Sequence, residues 1–82
     1  MLGRLGARWG EVVGGRLAAE TAPLRLDHGV LTVAASTQPW AAQVRFLGAE
    51  IARNATAAGA SVRDVRVIVD PRAIRHRGDG VR

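Results

Sequence analysis

The stretch Asp27-His28-Gly29-Val30-Leu31-Thr32-Val33-Ala34-Ala35-Ser36-Thr37-Gln38-Pro39-Trp40 contains a turn, a strand and the start of a helix in immediate succession. Asp27-His28-Gly29 predicts a tight turn, because glycine adopts a positive φ without steric cost. Leu31 and Val33 alternate with their neighbours, which is typical of a half-buried strand over residues 30–35. A hydroxyl at Ser36 and a proline three residues later then predict a helix N-terminus.

The chain on either side of this stretch supplies the partners of that strand. Residues 22–26 form an apolar segment before the turn and complete a predicted β-hairpin. Beyond the turn, one long helix is predicted from apolar residues that recur at helical spacing, namely Trp40, Val44, Leu47, Ile51, Ala55 and Ala58. Gly59 is suited to the position after the helix end. A third strand is predicted over residues 61–69, with Val65, Val67 and Val69 on one face and Asp64, Arg66 and Ile68 on the other, and Pro71 ends it.

An N-terminal helix is predicted over residues 5–19 from the spacing of Leu5, Trp9, Val12, Val13 and Leu17. The pair Gly14-Gly15 interrupts it, and a straight helix would place Arg16 on the apolar face. We therefore expect a bend at the glycines that moves Arg16 away from the core. Both tryptophans lie on apolar arcs and are expected to be core residues.

The predicted fold class is α+β, with the element order αββαβ and a three-stranded sheet carrying both helices on one face. The opposite sheet face stays open and displays Arg25, Thr32 and Arg66. A folded domain is expected over residues 1–71 and a basic, disordered tail over residues 72–82.

Charge is the main functional signal. The chain has a net charge of +5 and all twelve of its basic residues are arginine, which makes polyanions the expected partners. Residues 71–82 carry four arginines against Asp79, so +3 of the net charge lies there. The predicted nucleic-acid-binding residues are Arg45, Arg53, Arg66, Arg72, Arg75, Arg77 and Arg82. Arginine usage from a GC-rich genome and a solvated terminus without function remain open alternatives.

Phe46 lies off the apolar arc of the long helix, beside Ala42, Ala49 and Arg53. An aromatic residue outside the main core is typical of a contact surface. Phe46 and Arg25 are therefore the predicted partner-binding residues. Packing of Phe46 on the tail or on the sheet edge is the alternative.

Several functional classes find no support in the sequence. The chain has no cysteine, His28 falls in a predicted turn and His76 in the predicted tail, and no carboxylate pair or Ser/His/Asp set occurs on adjoining elements. A protein that is not an enzyme is expected, with no catalytic residues, no metal site, no cofactor and no small-molecule substrate. No signal peptide is visible, and the longest uncharged stretch, residues 29–44, contains four polar or proline residues in a row. The expected location is the cytoplasm, without a membrane partner.

The order and spacing of several motifs resemble one bacterial family. They are Trp9-x-x-Val12-Val13-Gly14, Asp27-x-Gly29-Val30-Leu31-Thr32-Val33 and Ser36-Thr37-x-x-Trp40-Ala41-x-Gln43-Val44-Arg45, with a hydroxyl and Pro23 before the first strand and Gly59 before the last. Together they resemble the DciA family of replicative-helicase loaders or operators over residues 5–71. Pro71, His76 and the arginine-rich end look most similar to the actinobacterial branch.

The resemblance implies a KH-like fold, similar to type II KH domains and to the N-terminal domain of the DnaA initiator. It also implies two partners, DNA and the replicative DNA helicase, and association with the nucleoid. Binding to single-stranded and duplex DNA is expected to be indifferent to sequence, because no element is suited to reading base edges in a groove. Family members usually carry a sizeable extension on one side of the domain, so this chain is expected to be either a short paralogue or an incomplete gene product.

Two other functions are compatible with the residues alone. One is a KH-like RNA-binding module, which would prefer RNA to DNA at equal salt. The other is a protein–protein adaptor with no nucleic-acid role, which would show no salt-dependent binding to nucleic acid at all.

Overall fold

A computed structural model describes residues 2–74, with side chains from residue 5 onward. The elements are α1 (Leu2–Ala7), α2 (Trp9–Val13), α3 (Gly15–Glu20), β1 (Thr21–Asp27), β2 (Val30–Ala35), α4 (Gln38–Phe46), α5 (Gly48–Ala57), β3 (Asp64–Val69) and a 3-10 turn (Pro71–Ala73). Helical regions and strands thus follow each other in the predicted order, and the mixed α+β fold with one three-stranded sheet is confirmed. Among the described helices, none is long and apolar enough to cross a membrane.

The sheet has the order β1-β2-β3. β1 and β2 are antiparallel and are joined by His28 and Gly29, whose φ angles of 53° and 81° are both positive. Two successive residues of positive φ form the tight hairpin connection that matches the twist of the flanking strands. β2 and β3 are parallel, with Leu31 beside Val65 and Val33 beside Val67, and α4 and α5 supply the crossover that parallel strands require.

The core lies between the sheet and the helices. Its buried members come from every helical region, the central strand and the loop before β3: Leu5, Trp9, Val12, Leu17, Leu31, Val33, Val44, Ile51, Ala55, Ala60 and Val62. Trp9 is a core residue as expected. Trp40 is only partly buried, as are Leu47, Val65 and Val67, which corrects the expectation that Trp40 is largely buried.

The N-terminal helical region is broken twice. The predicted break is at Gly14, whose φ of 91° and ψ of 150° lie outside the helical range, and Arg16 just beyond it is exposed. A second break, not predicted, falls at Arg8, with φ −113° and ψ 20°. Arg8 directly precedes α2 and its guanidinium pairs with Glu11 at 2.9 Å, so its side chain is held on the following helix.

The second helical region is also two helices rather than one, because Leu47 has φ −97° and ψ 12°. The region ends as expected at Gly59, whose φ is 108°. The Gly59 N–H donates to the Thr56 carbonyl and the Ala60 N–H to the Ala55 carbonyl, both at 3.0 Å. This is the Schellman arrangement, in which a glycine of positive φ lets the chain satisfy the last helical carbonyls. β3 consequently starts at Asp64, three residues later than predicted.

The chain stays folded beyond the end of β3. The Asp70 side chain accepts a hydrogen bond of 3.2 Å from the Arg72 N–H and starts the 3-10 turn, after which Ile74 is 6% exposed. The turn contacts β1 and β2. Burial of Ile74 corrects the expectation that nothing after Pro71 packs on the domain, whereas the disorder predicted for the tail remains untested, because residues 75–82 lie outside the described residues.

Candidate nucleic-acid and partner-binding surfaces

The sheet face away from the helices carries a transverse row of three residues. Arg25 pairs with Thr32 across β1 and β2, and Thr32 pairs with Arg66 across β2 and β3. Directly paired residues have Cβ atoms roughly 5 Å apart, so the two arginine stems stand about 10 Å from each other with only threonine between them. Both arginines are exposed. We call this set, Arg25, Thr32 and Arg66, the arginine row.

Acidic and apolar rows flank the arginine row. Towards the hairpin, Asp27, Val30 and Asp64 lie side by side across the sheet. Towards the other end, Ala34 is flanked by Ala22 and Ile68. Ala34 is fully buried although it points away from the helices, and Ile74 is buried without belonging to the helix-side core. Together with the contacts of the 3-10 turn to β1 and β2, these facts indicate that the turn covers this end of the open face.

The arginines are poorly neutralised. Every arginine whose side chain the structure describes is exposed, and Arg8 alone among them lies within 4.0 Å of a carboxylate. The nearest acids have other partners: Asp27 contacts His28 at 2.9 Å, and Asp64 accepts a hydrogen bond from the Val65 N–H at 3.0 Å. Within the described residues, the guanidinium groups of Arg25 and Arg66 therefore remain available to an external anion.

A second surface lies on the outer side of α4 and α5. Phe46 is 84% exposed, and Ala42, Ala49 and Arg53, which share its side of the helical region, are exposed as well. Nothing among the described residues covers the phenyl ring, so packing on the sheet edge is excluded. Its packing on the tail lies outside the described residues. We call this set, Ala42, Phe46, Ala49 and Arg53, the phenylalanine stripe.

The two surfaces lie on opposite sides of the molecule. Val44 and Ile51 face the sheet, and at 100° per residue Phe46 and Arg53 fall on the far side of the helices from them. The structure therefore groups Arg25 with Arg66 on the sheet face. Phe46 and Arg53 form a separate group on the outer side of the helices. Arg45 is exposed on the flank of α4, between the two. Sequence patterns on single elements could not show this grouping, since it depends on how sheet and helices stack.

Of the nucleic-acid-binding residues predicted in the tail, only Arg72 lies within the described residues. Arg72 is exposed on the 3-10 turn, close to the covered end of the open face. Arg75, Arg77 and Arg82 lie outside the described residues, as does His76. Ile74, the last described residue, is buried, and the turn before it contacts β1 and β2.

The structure adds a cleft and further exposed arginines to the predicted site residues. A cleft of about 330 Å³ lies between the break at Gly14 and α4, with Leu17, Trp40 and Leu47 in its wall and Arg16 at its rim. Exposed Arg16 and Arg63 have no carboxylate partner among the described residues. The exposure of Arg16 agrees with the bend expected at the glycines, whereas Arg63 lies in the loop before β3 and was not among the predicted site residues. Within residues 5–74, no three His, Asp or Glu side chains are grouped closely enough to hold a metal ion.

Comparison with known proteins identifies the family. The model of the family DciA, described as the Dna[CI] antecedent, matches residues 1–67. A UPF0232 protein of Mycobacterium leprae is 38% identical over 72 residues, which cover 87% of this chain and 38% of that protein. A UPF0232 protein of Mycolicibacterium smegmatis is 38% identical over 65 residues, covering 78% of this chain and 34% of the relative. A UPF0232 protein of Rhodococcus jostii is 41% identical over 56 residues, which cover 67% of this chain and 30% of that protein.

This chain thus spans about a third of the length of these curated relatives. The match nevertheless extends over most of the chain itself, from the N-terminal helices through the hairpin and the crossover to β3. The relatives come from actinobacteria, the branch that the sequence motifs indicated. The chain therefore belongs to the DciA family.

Proposed function

We propose that this chain is a non-catalytic accessory domain in bacterial DNA replication, which binds nucleic acid and the replicative DNA helicase. The observation that carries the nucleic-acid part is the arginine row. The stems of two arginines without a carboxylate partner among the described residues stand about 10 Å apart on the sheet face away from the helices. Arginine side chains are long and flexible, so two arginines at this spacing can each contact a phosphate of the same strand.

The geometry favours binding to the backbone rather than to bases. Arginine forks pair with phosphate oxygens bidentately, and such contacts fix position without reading sequence. The row, which consists of Arg25, Thr32 and Arg66, contains no aromatic residue on which a base could stack. Binding to both single strands and duplexes should therefore depend strongly on salt and should not depend on base sequence. Arg45, Arg72 and the arginines of the tail extend the same positive potential.

The helicase part rests on family membership and on the phenylalanine stripe. Exposed phenylalanine is costly to leave in water, and an aromatic flanked by alanine and arginine has the composition of an interface centre. Because the stripe lies opposite the arginine row, one domain can hold a protein and a nucleic acid at the same time. A domain with this role acts in the cytoplasm, at the nucleoid.

The nucleic-acid proposal is tested by salt titration of binding to fluorescent single-stranded and duplex DNA. Arg25→Gln and Arg66→Gln should each make the slope of log K against log salt shallower by about 0.7 for single strands and 0.9 for duplex, the loss of one phosphate contact. Arg16→Gln is the matched control, because it removes the same charge from an exposed arginine at the helix break. Equal effects of all three would mean diffuse attraction without a site at the row.

Competition with RNA of the same length and salt separates the two nucleic-acid functions. Preference for RNA would favour the KH-like RNA-binding alternative, and no binding at low salt would leave the adaptor. The helicase contact is tested by co-purification with the replicative helicase of the same organism. Phe46→Ser should abolish it, whereas Leu24→Ser, which changes an exposed apolar residue on β1, should not.

A further inference from the structure

β3 is an edge strand of the described sheet, and the hydrogen bonds at its two ends show which residues face outward. The Asp64 N–H donates to the Gly29 carbonyl at 3.2 Å, and the Asp70 N–H donates to the Ala35 carbonyl at 3.0 Å. Backbone groups in a strand alternate in direction, so the even-numbered residues between them also bond to β2. Val65, Val67 and Val69 therefore point their N–H and C=O groups away from the sheet. We call these groups the β3 edge.

The two edges of the sheet differ in their protection. β1 contains Pro23, and its register with β2 shifts between Pro23 and Arg25, which leaves Leu24 as a bulged residue. Proline and bulges are the usual devices that keep edge strands from pairing further. β3 contains neither, and Ile68 and Val69 on it are 45% and 39% exposed. The Val65 N–H donates to the Asp64 carboxylate at 3.0 Å, whereas the outward-facing groups of Val67 and Val69 have no partner among the described residues. A strand edge with unpaired backbone groups beside exposed apolar side chains is a template for another strand.

We propose that the β3 edge pairs with the β3 edge of a second copy of this chain, antiparallel, about a twofold axis at Ile68. Ile68 then lies opposite the partner's Ile68. Val67 lies opposite the partner's Val69, and each such pair exchanges two backbone hydrogen bonds through the outward-facing groups. On the open sheet face, Arg66 lies opposite the partner's Asp70. The twofold axis also places Asp70 opposite the partner's Arg66, so the contact contains two such pairs.

Charge complementarity favours this register over those centred on Val67 and Arg66, and the register centred on Val65, which also places Arg66 opposite a carboxylate (the partner's Asp64), lacks the isoleucine pair. An axis at Val67 would place Asp64 opposite the partner's Asp70, and an axis at Arg66 would place that guanidinium opposite itself; like charges directly opposite are destabilising. The Ile68 register instead joins isoleucine to isoleucine and forms two opposite-charge pairs. Pairing stops at Pro71, which has no N–H to donate. The contact is short, so the dimer is a weak one.

The test is the mass of the full chain by sedimentation equilibrium, free of nucleic acid and at low salt. From about 0.01 to 1 mM, a range suited to weak interfaces, the mass should rise from 8.7 kDa towards twice that value. Ile68→Lys, Arg66→Asp and Asp70→Arg should each raise the dissociation constant about ten-fold or more, because symmetry alters both halves of the contact. The exchanged pair Arg66→Asp with Asp70→Arg should restore dimerisation.

Phe46→Ser is the matched control, because it removes a more exposed apolar side chain from another surface and should leave the dimer intact. Circular dichroism checks that each variant is folded. Asp70 also starts the 3-10 turn, so if Asp70→Arg does not fold, Ile68→Lys and Arg66→Asp decide the matter. A parent chain that stays monomeric at about 1 mM, or two folded single variants that dimerise like the parent, would overturn the proposal. Neither result depends on whether the arginine row binds nucleic acid.

Discussion

The indole N–H of Trp9 donates a hydrogen bond of 3.0 Å to the hydroxyl of Thr21, which itself donates to the Leu17 carbonyl at 2.7 Å. Both side chains are buried, with 5% and 3% exposure. The Thr21 hydroxyl thus accepts a hydrogen bond from the indole N–H, the single polar group of the Trp9 side chain. It also donates one to a backbone carbonyl in α3. This chain of two bonds joins α2, α3 and the first residue of β1.

Thr21→Val should therefore destabilise the domain although it preserves the shape of the side chain. Removing the hydroxyl leaves a buried indole N–H without its acceptor, which costs about 1–3 kcal/mol. Thr32→Val is the control, because Thr32 is also in a strand and makes no side-chain hydrogen bond within the described residues. Urea unfolding of both variants measures the difference. Equal stabilities would show that the Trp9–Thr21 bond contributes little beyond solvation.

The two glycines at the helix break should respond in opposite ways to alanine. At Gly14 the φ of 91° and ψ of 150° are accessible essentially to glycine alone, so Gly14→Ala should cost about 1–3 kcal/mol. Gly15 is the first residue of α3, and a Cβ there would meet no atom within 4 Å. Gly15→Ala should be neutral or stabilise the domain by up to about 1 kcal/mol. Stabilisation by both changes would mean that the helix is straight in solution.

The tryptophans should differ in their contribution to stability. Trp9 is 5% exposed and hydrogen-bonded, so Trp9→Ala should cost about 3–5 kcal/mol, a large part of the stability of a small domain. Trp40 is only partly buried, at the cleft beside Gly14, and Trp40→Ala should cost distinctly less. Thermal melting ranks the two variants. A larger loss at Trp40 would contradict the packing seen here.

Local chemistry explains what the sequence could predict. The hairpin turn and the bounds of β2 depend on neighbouring residues, since positive φ at Gly29 and alternation at Leu31 and Val33 are set within a few positions. Gly14 and Gly59 likewise end the helices that directly precede them, because both have a positive φ. The family motifs extended this to the whole fold, because their order fixes which segments follow which.

Tertiary packing explains what the sequence could not predict. The breaks at Arg8 and Leu47 occur at residues that are neither glycine nor proline, and the nearby glycines, such as Gly48 after Leu47, lie in sequences that otherwise keep helical spacing. Apolar arcs placed both tryptophans towards the core but could not show that Trp40 stands at its margin. The burial of Ile74 needed the path of the chain across the sheet. The separation of the arginine row from the phenylalanine stripe needed the stacking of the two layers.

The end of the folded region and the start of the nucleic-acid-binding tail can be separated by two truncations. A chain ending at Ile74 keeps the buried isoleucine and loses Arg75, Arg77, Asp79 and Arg82, so its net charge falls from +5 to +3. Its stability should equal that of the parent. If Arg75 and Arg77 each contact one phosphate, its salt slope should be shallower by about 1.4 for single strands and 1.8 for duplex.

A chain ending at Asp70 serves as the contrasting variant, because it also loses the turn and Ile74. Withdrawing a buried isoleucine costs about 1.5–3 kcal/mol, so this chain should melt earlier than the one ending at Ile74. Salt titrations with single-stranded and duplex DNA, at a temperature where both chains are folded, then report the phosphate contacts alone. Between the two truncations the slope should change further only by the contribution of Arg72, about one contact. An unchanged slope in both would remove the tail from the mechanism and leave the arginine row as the binding surface, since Arg25 and Arg66 remain in every one of these chains.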